Sequence, residues 1–153
     1  MDEASKKILE RLERQCAKRE YCRSDIYSKA LKALEGDSVK AAEVTDRLVA
    51  DGYISDLRYA SAFAREKAGL TGWGPVKIKF ALSAKHIDRG TIDAALGEID
   101  SDKAASKLDK LLAAKWKTLE GDPQAKLKLI KFALGRGYEY AEVQKAIEDI
   151  CNG

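Results

Sequence analysis

Two stretches of the sequence, 73–87 and 123–138, contain several basic residues and no acidic residue. Together with a cation just after the first stretch, their basic residues are Lys77, Lys79, Lys85, Arg89, Lys126, Lys128, Lys131 and Arg136. Clustered cations can bind the phosphates of a nucleic acid or an acidic groove on a partner protein. We therefore take these eight residues as candidates for partner or DNA binding. The alternative is ordinary solvated lysine and arginine.

Residues that perform catalysis or hold a cofactor do not occur in a recognised spacing. Gly69, Gly72 and Gly74 are not followed by the Gly-Lys-Ser/Thr of a phosphate-binding loop. The single histidine, His86, has neither a second His nor a Cys near it in sequence that would favour metal binding. We expect no catalytic, cofactor-binding or metal site, and a function that is not enzymatic.

Composition favours a soluble, ordered, helical protein. Of the 153 residues, 45% are hydrophobic, 35% are charged and two are prolines. The net charge of +3 is too small to establish nucleic-acid binding by itself. No apolar run approaches the roughly 20 residues that span a membrane, and the first 15 residues lack the apolar core of a signal peptide. We therefore expect a cytoplasmic protein whose three cysteines, Cys16, Cys22 and Cys151, are free thiols.

Apolar residues recur at helical spacing in about nine segments, which predicts an all-α protein. The segments fall into three sets of three helices, at residues 1–54, 55–100 and 101–153. One apolar position in the third helix of each set, occupied by Val44, Ile92 and Val143, recurs about every 50 residues. Such a period is typical of stacked modules, and we expect an elongated, curved array of helix-turn-helix-like repeats. A compact helical bundle is the alternative.

The repeat also relates the basic residues to one another. A shift of 51 residues places Lys77 on Lys128 and Lys85 on Arg136. Both basic stretches are the second helices of their sets. We therefore expect these four side chains to lie on a solvent-facing basic surface that contributes to binding.

Several residues mark helix ends. Gly52 should adopt a positive φ just after a helix, and Ser55 or Asp56 can cap the next helix. Ser24 is a candidate N-cap for the second helix. Pro75 suits the first position of the fifth helix, because proline lacks the N–H that has no partner there.

One of these boundaries carries a family resemblance. The segment GYISDLRYASAF contains Gly52, Tyr53, Ile54, Ser55, Asp56, Arg58, Tyr59, Ala60 and Phe63. It resembles the signature of the RecX family, which are bacterial modulators of the RecA recombinase. Segments 18–26 and 72–92 are also similar to the family. They depart from it at Cys22, where Ser is more usual, and at His86, where a Lys-Gly-Ile pattern is more usual. The turn at this position can still form with His86, since histidine tolerates a positive φ better than a β-branched residue does. The resemblance is weakest in the third set.

The resemblance implies a function as well as a fold. RecX proteins consist of three three-helix repeats. The implied role is regulation of DNA repair, recombination and the SOS response. The protein would bind along a RecA-type recombinase filament, bridge its subunits, and reduce strand exchange, ATP hydrolysis and co-protease activity. No cofactor is implied, we expect a monomer, and direct binding to DNA is left open.

Two other functions remain open at this point. A nucleic-acid-binding module built from helix-turn-helix-like units would also use the two basic helices. A scaffold for a different protein partner would need neither a recombinase nor DNA. Trp73, in a Gly-rich turn, would stack on a base in the former case or pack between two helices, and packing is favoured.

Overall fold

Nine α-helices and one π-helical turn account for most of residues 1–152, which are the residues described by this computed structural model, and none of them lies in a strand. The helices are α1 (Glu3–Lys18), α2 (Arg23–Ala33), α3 (Ser38–Ala50), α4 (Asp56–Glu66), α5 (Pro75–Ala84), α6 (Arg89–Gly97), α7 (Ser101–Thr118), α8 (Ala125–Gly135) and α9 (Tyr140–Asn152). The π-helical turn, Lys67–Thr71, continues directly from α4. The all-α prediction is confirmed.

The helices pack in consecutive groups of three, α1–α3, α4–α6 and α7–α9, each around its own apolar cluster. The central side chains are Leu12, Ile26 and Leu48 in the first cluster, Ile78, Leu82 and Ile92 in the second, and Leu112, Leu129 and Val143 in the third. The predicted anchors Val44, Ile92 and Val143 are all buried. The three residues therefore occupy one equivalent buried position in the third helix of each group.

The clusters do not follow the predicted set boundaries completely. Cys22, which immediately precedes α2, is fully buried in the second cluster and not in the first. The π-helical turn of the second group packs against α7 of the third. The division at residues 1–54, 55–100 and 101–153 therefore stays a prediction.

Most of the predicted helix ends are observed. Gly52 has a φ of 79° and His86 a φ of 60°, both in the left-handed region. The Ser55 hydroxyl accepts a hydrogen bond from the Arg58 N–H at 3.2 Å, which caps α4. Pro75 is the first residue of α5. These features depend on residues close together in sequence, and local patterns predict them.

Ser24 is a correction to the sequence-based expectation. The residue before α2 is Cys22, and Ser24 lies inside the first turn of the helix. The Ser24 hydroxyl donates a hydrogen bond to the carbonyl oxygen of Lys85 at 2.7 Å. Serine prefers the N-cap position, which is why the sequence predicts a cap here. The Ser24 hydroxyl instead bonds to the C-terminal end of α5, 61 residues away in sequence.

Alanine substitutions at Gly52 and Gly97 should change stability in opposite directions. A Cβ at either glycine meets no atom within 4 Å, so packing does not distinguish them. Gly52→Ala should lower the free energy of unfolding by about 1 kcal/mol, because its φ of 79° is strained for alanine. Gly97→Ala, at the helical end of α6, should raise it by about 0.5–1 kcal/mol. Urea unfolding of both variants checks the expectation, and equal effects would contradict it.

Candidate interaction surface along the second helices

The C-terminal end of α8 lies against the N-terminal end of α5. The Gly74 N–H donates to the Arg136 carbonyl at 2.7 Å, and the Val76 N–H donates to the Gly137 carbonyl at 2.8 Å. First-turn N–H groups lack acceptors within their own helix, and the carbonyls at a helix end lack donors. Each helix end therefore satisfies the other, and the negative end of one helix dipole meets the positive end of the next.

Two glycines permit this close backbone contact. Gly137 has a φ of 92°. A Cβ added to Gly137 would overlap the Cβ of Lys77 and lie 2.6 Å from the Lys77 backbone nitrogen. A Cβ added to Gly74 would lie 2.5 Å from the Gly137 carbonyl group. Any larger residue at either position would push the two helix ends apart.

Side chains from the third group extend this contact. The Arg136 Nη1 donates to the Thr71 carbonyl at 2.9 Å, and the Tyr138 hydroxyl donates to the Gly72 carbonyl at 3.2 Å. Tyr138 is buried, and its burial raises the pKa of the phenol. Together with the backbone bonds, these contacts form what we call the α8–α5 joint: residues 71–77 against residues 136–138.

A second joint connects the C-terminal end of α5 to the N-terminal end of α2. The Lys85 carbonyl accepts a hydrogen bond from the Ser24 hydroxyl. The Lys85 Nζ lies 3.0 Å from an Asp25 carboxylate oxygen. The bond to Asp25 raises the pKa of the Lys85 ammonium. In addition, the Arg23 N–H donates to Asp56 at 2.8 Å. The second helices α8, α5 and α2 thus meet end to end.

Three of the eight candidate cations, which the sequence predicts to lie on a solvent-facing surface, belong to these joints. Lys77, Lys85 and Arg136 are half-buried. Lys85 and Arg136 each follow the last residue of a second helix and bond across to the neighbouring group of helices. The 51-residue shift that places Lys85 on Arg136 therefore relates two residues at equivalent positions in the two joints. Both side chains bond to other residues of the same molecule, so they are less available to a partner.

The other five candidates are exposed, but three of them have acidic neighbours. Lys128 pairs with Asp122 at 2.6 Å, and the hydrogen bond from Lys128 holds the pKa of that carboxyl below its usual value. Lys79 and Arg89 both approach Asp93, at 3.6 and 3.9 Å. Within residues 1–152, Lys126 and Lys131 form no ion pair with an acidic side chain. Binding by any of the eight stays a prediction.

Trp73 packs at the α8–α5 joint. Its ring meets the Phe63 ring edge-on, with centroids 6.1 Å apart. The Lys67 and Lys77 ammonium groups lie 4.9 and 4.6 Å from the ring centroid, within the range of cation–π attraction. The indole is half-buried against the second cluster. These contacts favour the packing role for Trp73 over base stacking.

Comparison with known proteins relates the central part of the chain to one family. Residues 55–96 match the family described as RecX, second three-helix domain. This segment of the chain is therefore similar to the second three-helix domain of RecX proteins. Curated relatives bear the name Regulatory protein RecX, which describes regulation and no catalytic reaction.

Two RecX relatives show how far the sequence similarity extends. The protein from Xanthomonas axonopodis pv. citri is 36% identical over 86 residues, which are 56% of this chain and 51% of the relative. In that match the chain spans about half the length of the relative. The protein from Escherichia coli (strain SE11) is 27% identical over 147 residues, covering 90% of this chain and 88% of the relative.

Two RecX crystal structures share the fold. RecX from Lactobacillus salivarius aligns with a TM-score of 0.87 at 19% identity, covering 100% of both chains. A second regulatory protein RecX aligns with a TM-score of 0.85 at 22% identity, covering 95% of this chain and 72% of the other. The tandem arrangement of three-helix groups is therefore shared with RecX.

Polar residues of the RecX signature tie the first group of helices to the second. The Arg58 Nε lies 3.0 Å from a Glu20 carboxylate oxygen, and its Nη2 donates to the Gly52 carbonyl at 2.8 Å. Asp56 accepts the Arg23 N–H at the start of α2. The turn after α3, the start of α2 and the start of α4 are thereby held together.

Apolar residues of the RecX signature fill the two adjoining cores. Ile54 is buried in the first cluster, and Tyr53 packs against it. Ala60 is fully buried in the second cluster. The Tyr59 and Phe63 rings stack with centroids 6.0 Å apart. Ser55 caps α4. Every other residue of the signature packs against, or forms a hydrogen bond or ion pair with, another part of the protein.

A basic cleft between α7 and the π-helical turn was missed from the sequence. Lys103, Lys107 and Lys110 recur at intervals of four and three residues on α7 and line it together with Arg65. The cleft volume is about 570 Å³. Acidic residues lie next to these lysines in sequence, so α7 does not read as a basic stretch. Helical spacing nevertheless places the three lysines on one face of the helix. Glu98 and Asp100 lie at the same cleft, and Glu98 is 4.0 Å from Arg65.

No helix within residues 1–152 has the length and apolar character needed to cross a membrane.

Alanine at Gly137 should destabilise the protein more than alanine at Gly121. Both glycines have positive φ, 92° and 81°, so both variants carry backbone strain. A Cβ at Gly121 meets no atom within 4 Å, whereas one at Gly137 overlaps Lys77. We expect Gly121→Ala to cost about 1 kcal/mol, and Gly137→Ala to cost about 1–3 kcal/mol more through overpacking. Urea unfolding measures the free energy of unfolding of the two variants. Equal losses of stability would show that the α8–α5 joint can move apart to accommodate a Cβ without destabilising the protein.

Proposed function

We propose that this chain regulates a RecA-type recombinase by binding along its filament and lowering strand exchange, ATP hydrolysis and co-protease activity. The observation that carries the proposal is the match of residues 55–96 to the second three-helix domain of RecX. The curated relatives are named regulatory proteins, and the recombinase as the regulated partner is our inference from the family resemblance.

The end-to-end arrangement of the second helices supports binding to a filament. A filament presents one subunit surface repeatedly, and α5 and α8 present related helices from successive groups at a fixed joint. Two linked contacts raise the effective concentration of each other, so that weak individual contacts give strong binding. A rigid joint strengthens this effect because less orientational freedom is lost on binding.

Exposed lysines on α8 provide the simplest first contacts for an acidic recombinase surface. Lys126 and Lys131 are exposed, and neither is committed to an ion pair within residues 1–152. Uncommitted cations speed the encounter with an acidic partner, especially at low salt. By contrast, reversing Lys77, Lys85 or Arg136 would disturb the joints, so those variants would test folding as much as binding.

Reversal of the α8 lysines should weaken inhibition of the recombinase. We expect the wild-type protein to lower ATP hydrolysis by filaments formed on single-stranded DNA. The double variant Lys126→Glu, Lys131→Glu should inhibit less, with the largest difference at low salt. The double variant Lys7→Glu, Lys145→Glu changes the net charge equally at exposed positions elsewhere and should inhibit like the wild type.

Each result of this assay is decisive for a different part of the proposal. No effect of the wild-type protein on ATP hydrolysis or filament binding would contradict the regulatory role. Faster hydrolysis would contradict inhibition while retaining the partner. Equal loss in both double variants would assign the effect to net charge and not to the α8 surface.

Direct binding to single-stranded nucleic acid is a second candidate function, favoured by the α7 cleft. Its four cations, Arg65, Lys103, Lys107 and Lys110, line one groove. A groove of this kind can follow a phosphate backbone without reading its sequence. The acidic residues Glu98 and Asp100 at the same groove oppose such binding, which is why we place it second.

Neutralising the α7 lysines tests this second function. We expect the variant Lys103→Gln, Lys107→Gln, Lys110→Gln to bind single-stranded DNA more weakly in the absence of recombinase. The slope of log affinity against log salt should fall by about 0.7 for each phosphate contact removed. A control with Lys7→Gln, Lys18→Gln and Lys145→Gln removes the same charge from exposed sites. Equal slopes in the two variants would exclude the cleft as a specific phosphate-binding groove.

A further inference from the structure

Helix α5 carries apolar residues on its buried face and also on part of its outer face. Ile78 and Leu82 are buried in the second cluster, whereas Phe80 is 78% exposed and Val76 is 51% exposed on the outer side. Exposed apolar residues are common singly, but an exposed Phe one helical turn from an exposed Val forms a patch. The outer face of α5 is therefore suited to a partner.

Helix α8 repeats the pattern. Leu129 and Ala133 are buried, whereas Leu127 and Leu134 are 48% and 41% exposed. A shift of 51 residues places Val76 on Leu127, so an apolar residue occupies the outer side of the first turn in both helices. We call Val76 and Phe80 on α5, with Leu127 and Leu134 on α8, the outer apolar patches.

The corresponding face of α2 differs. Its exposed positions include Ser28, Lys29 and Lys32, which are polar or charged. A polar outer face is what solvent alone requires of such a helix. The outer apolar patches therefore belong to the second and third groups of helices, and are not a general consequence of the three-helix repeat.

Charge indicates the chemistry of the surface that would cover these patches. Neither α5 nor α8 contains an acidic residue, and Lys79, Lys126 and Lys131 are exposed beside the apolar side chains. A complementary surface would carry apolar groups surrounded by carboxylates. A second copy docked through the same patches would bring like charges together, which disfavours self-association.

The side chains also favour protein over nucleic acid. Three of the four exposed apolar residues are aliphatic, and aliphatic side chains lack the aromatic face on which bases stack. A large apolar side chain that enters a partner pocket is typical of the few residues that dominate a protein interface. Phe80, the most exposed of the four, is the best candidate for such an anchor.

We propose that the outer apolar patches dock on the recombinase filament, each against an apolar surface rimmed by acidic residues on one subunit. This inference rests on the proposed function and specifies its contacts. Phe80 is the anchor of the α5 patch, while Leu127 and Leu134 form the α8 patch. The flanking lysines orient the contact and accelerate encounter, and the apolar side chains slow dissociation.

The test measures binding of full-length variants to filaments assembled on single-stranded DNA with a slowly hydrolysed ATP analogue. Phe80→Ser should bind at least about tenfold more weakly than the wild type, mainly through faster dissociation. Leu127→Ser, Leu134→Ser should also weaken binding. Val39→Ser is the matched control, because Val39 on α3 is 76% exposed but lies outside the patches. It should bind like the wild type.

Further outcomes separate this inference from the proposed function. Wild-type binding with equal affinities for Phe80→Ser and Val39→Ser would overturn the docking patches and leave the proposed function standing. No filament binding by the wild type would overturn both. A dimer in sedimentation that Phe80→Ser converts to a monomer would assign the patches to self-association. An equal loss of affinity for bare DNA would assign them to nucleic acid. Each of these last two results would also overturn the inference.

Discussion

The close contact between the backbones of Gly137 and the start of α5 determines how the second and third groups of helices are joined. It leaves no space for a Cβ on either Gly74 or Gly137. In return, the N–H groups of Gly74, the N-cap of α5, and of Val76 in its first turn find acceptors at the end of α8. Without those bonds the N–H groups would remain unsatisfied or require water. The orientation of α8 relative to α5, and therefore of their outer faces, depends on this contact.

The joint at the other end of α5 uses side chains in place of glycine. Ser24 and Asp25 at the start of α2 bond to the backbone carbonyl and the ammonium group of Lys85. The signature residues Asp56 and Arg58 reinforce the same region of the chain. In this structure the bonds of these signature residues join the first and second groups of helices. The outer faces of α5 and α8 are left available for a partner.

Sequence patterns predicted the features that depend on neighbouring residues and missed those that depend on distant ones. Buried anchors such as Val44 and the left-handed turns at Gly52 and His86 follow from spacing and residue type. Ser24 has the sequence properties of a cap, yet its partner lies 61 residues away. The repeat correctly related Lys85 to Arg136, but a one-dimensional match cannot show that both side chains bond across a joint. The exposure of Phe80 could not be predicted either, since α5 has apolar residues on its outer as well as its buried face.

Hydrogen exchange of the Gly74 and Val76 amides tests most directly whether the α8–α5 joint holds the groups together. Amides at the N-cap and in the first turn of a helix have no intrahelical acceptor and normally exchange quickly. Because these two donate to Arg136 and Gly137 across the joint, we expect them to exchange as slowly as amides in the cores of α5 and α8. Gly137→Ala should accelerate both. Exchange in the wild-type protein at the rate of unprotected first-turn amides would contradict the account, because the joint would then open freely in solution.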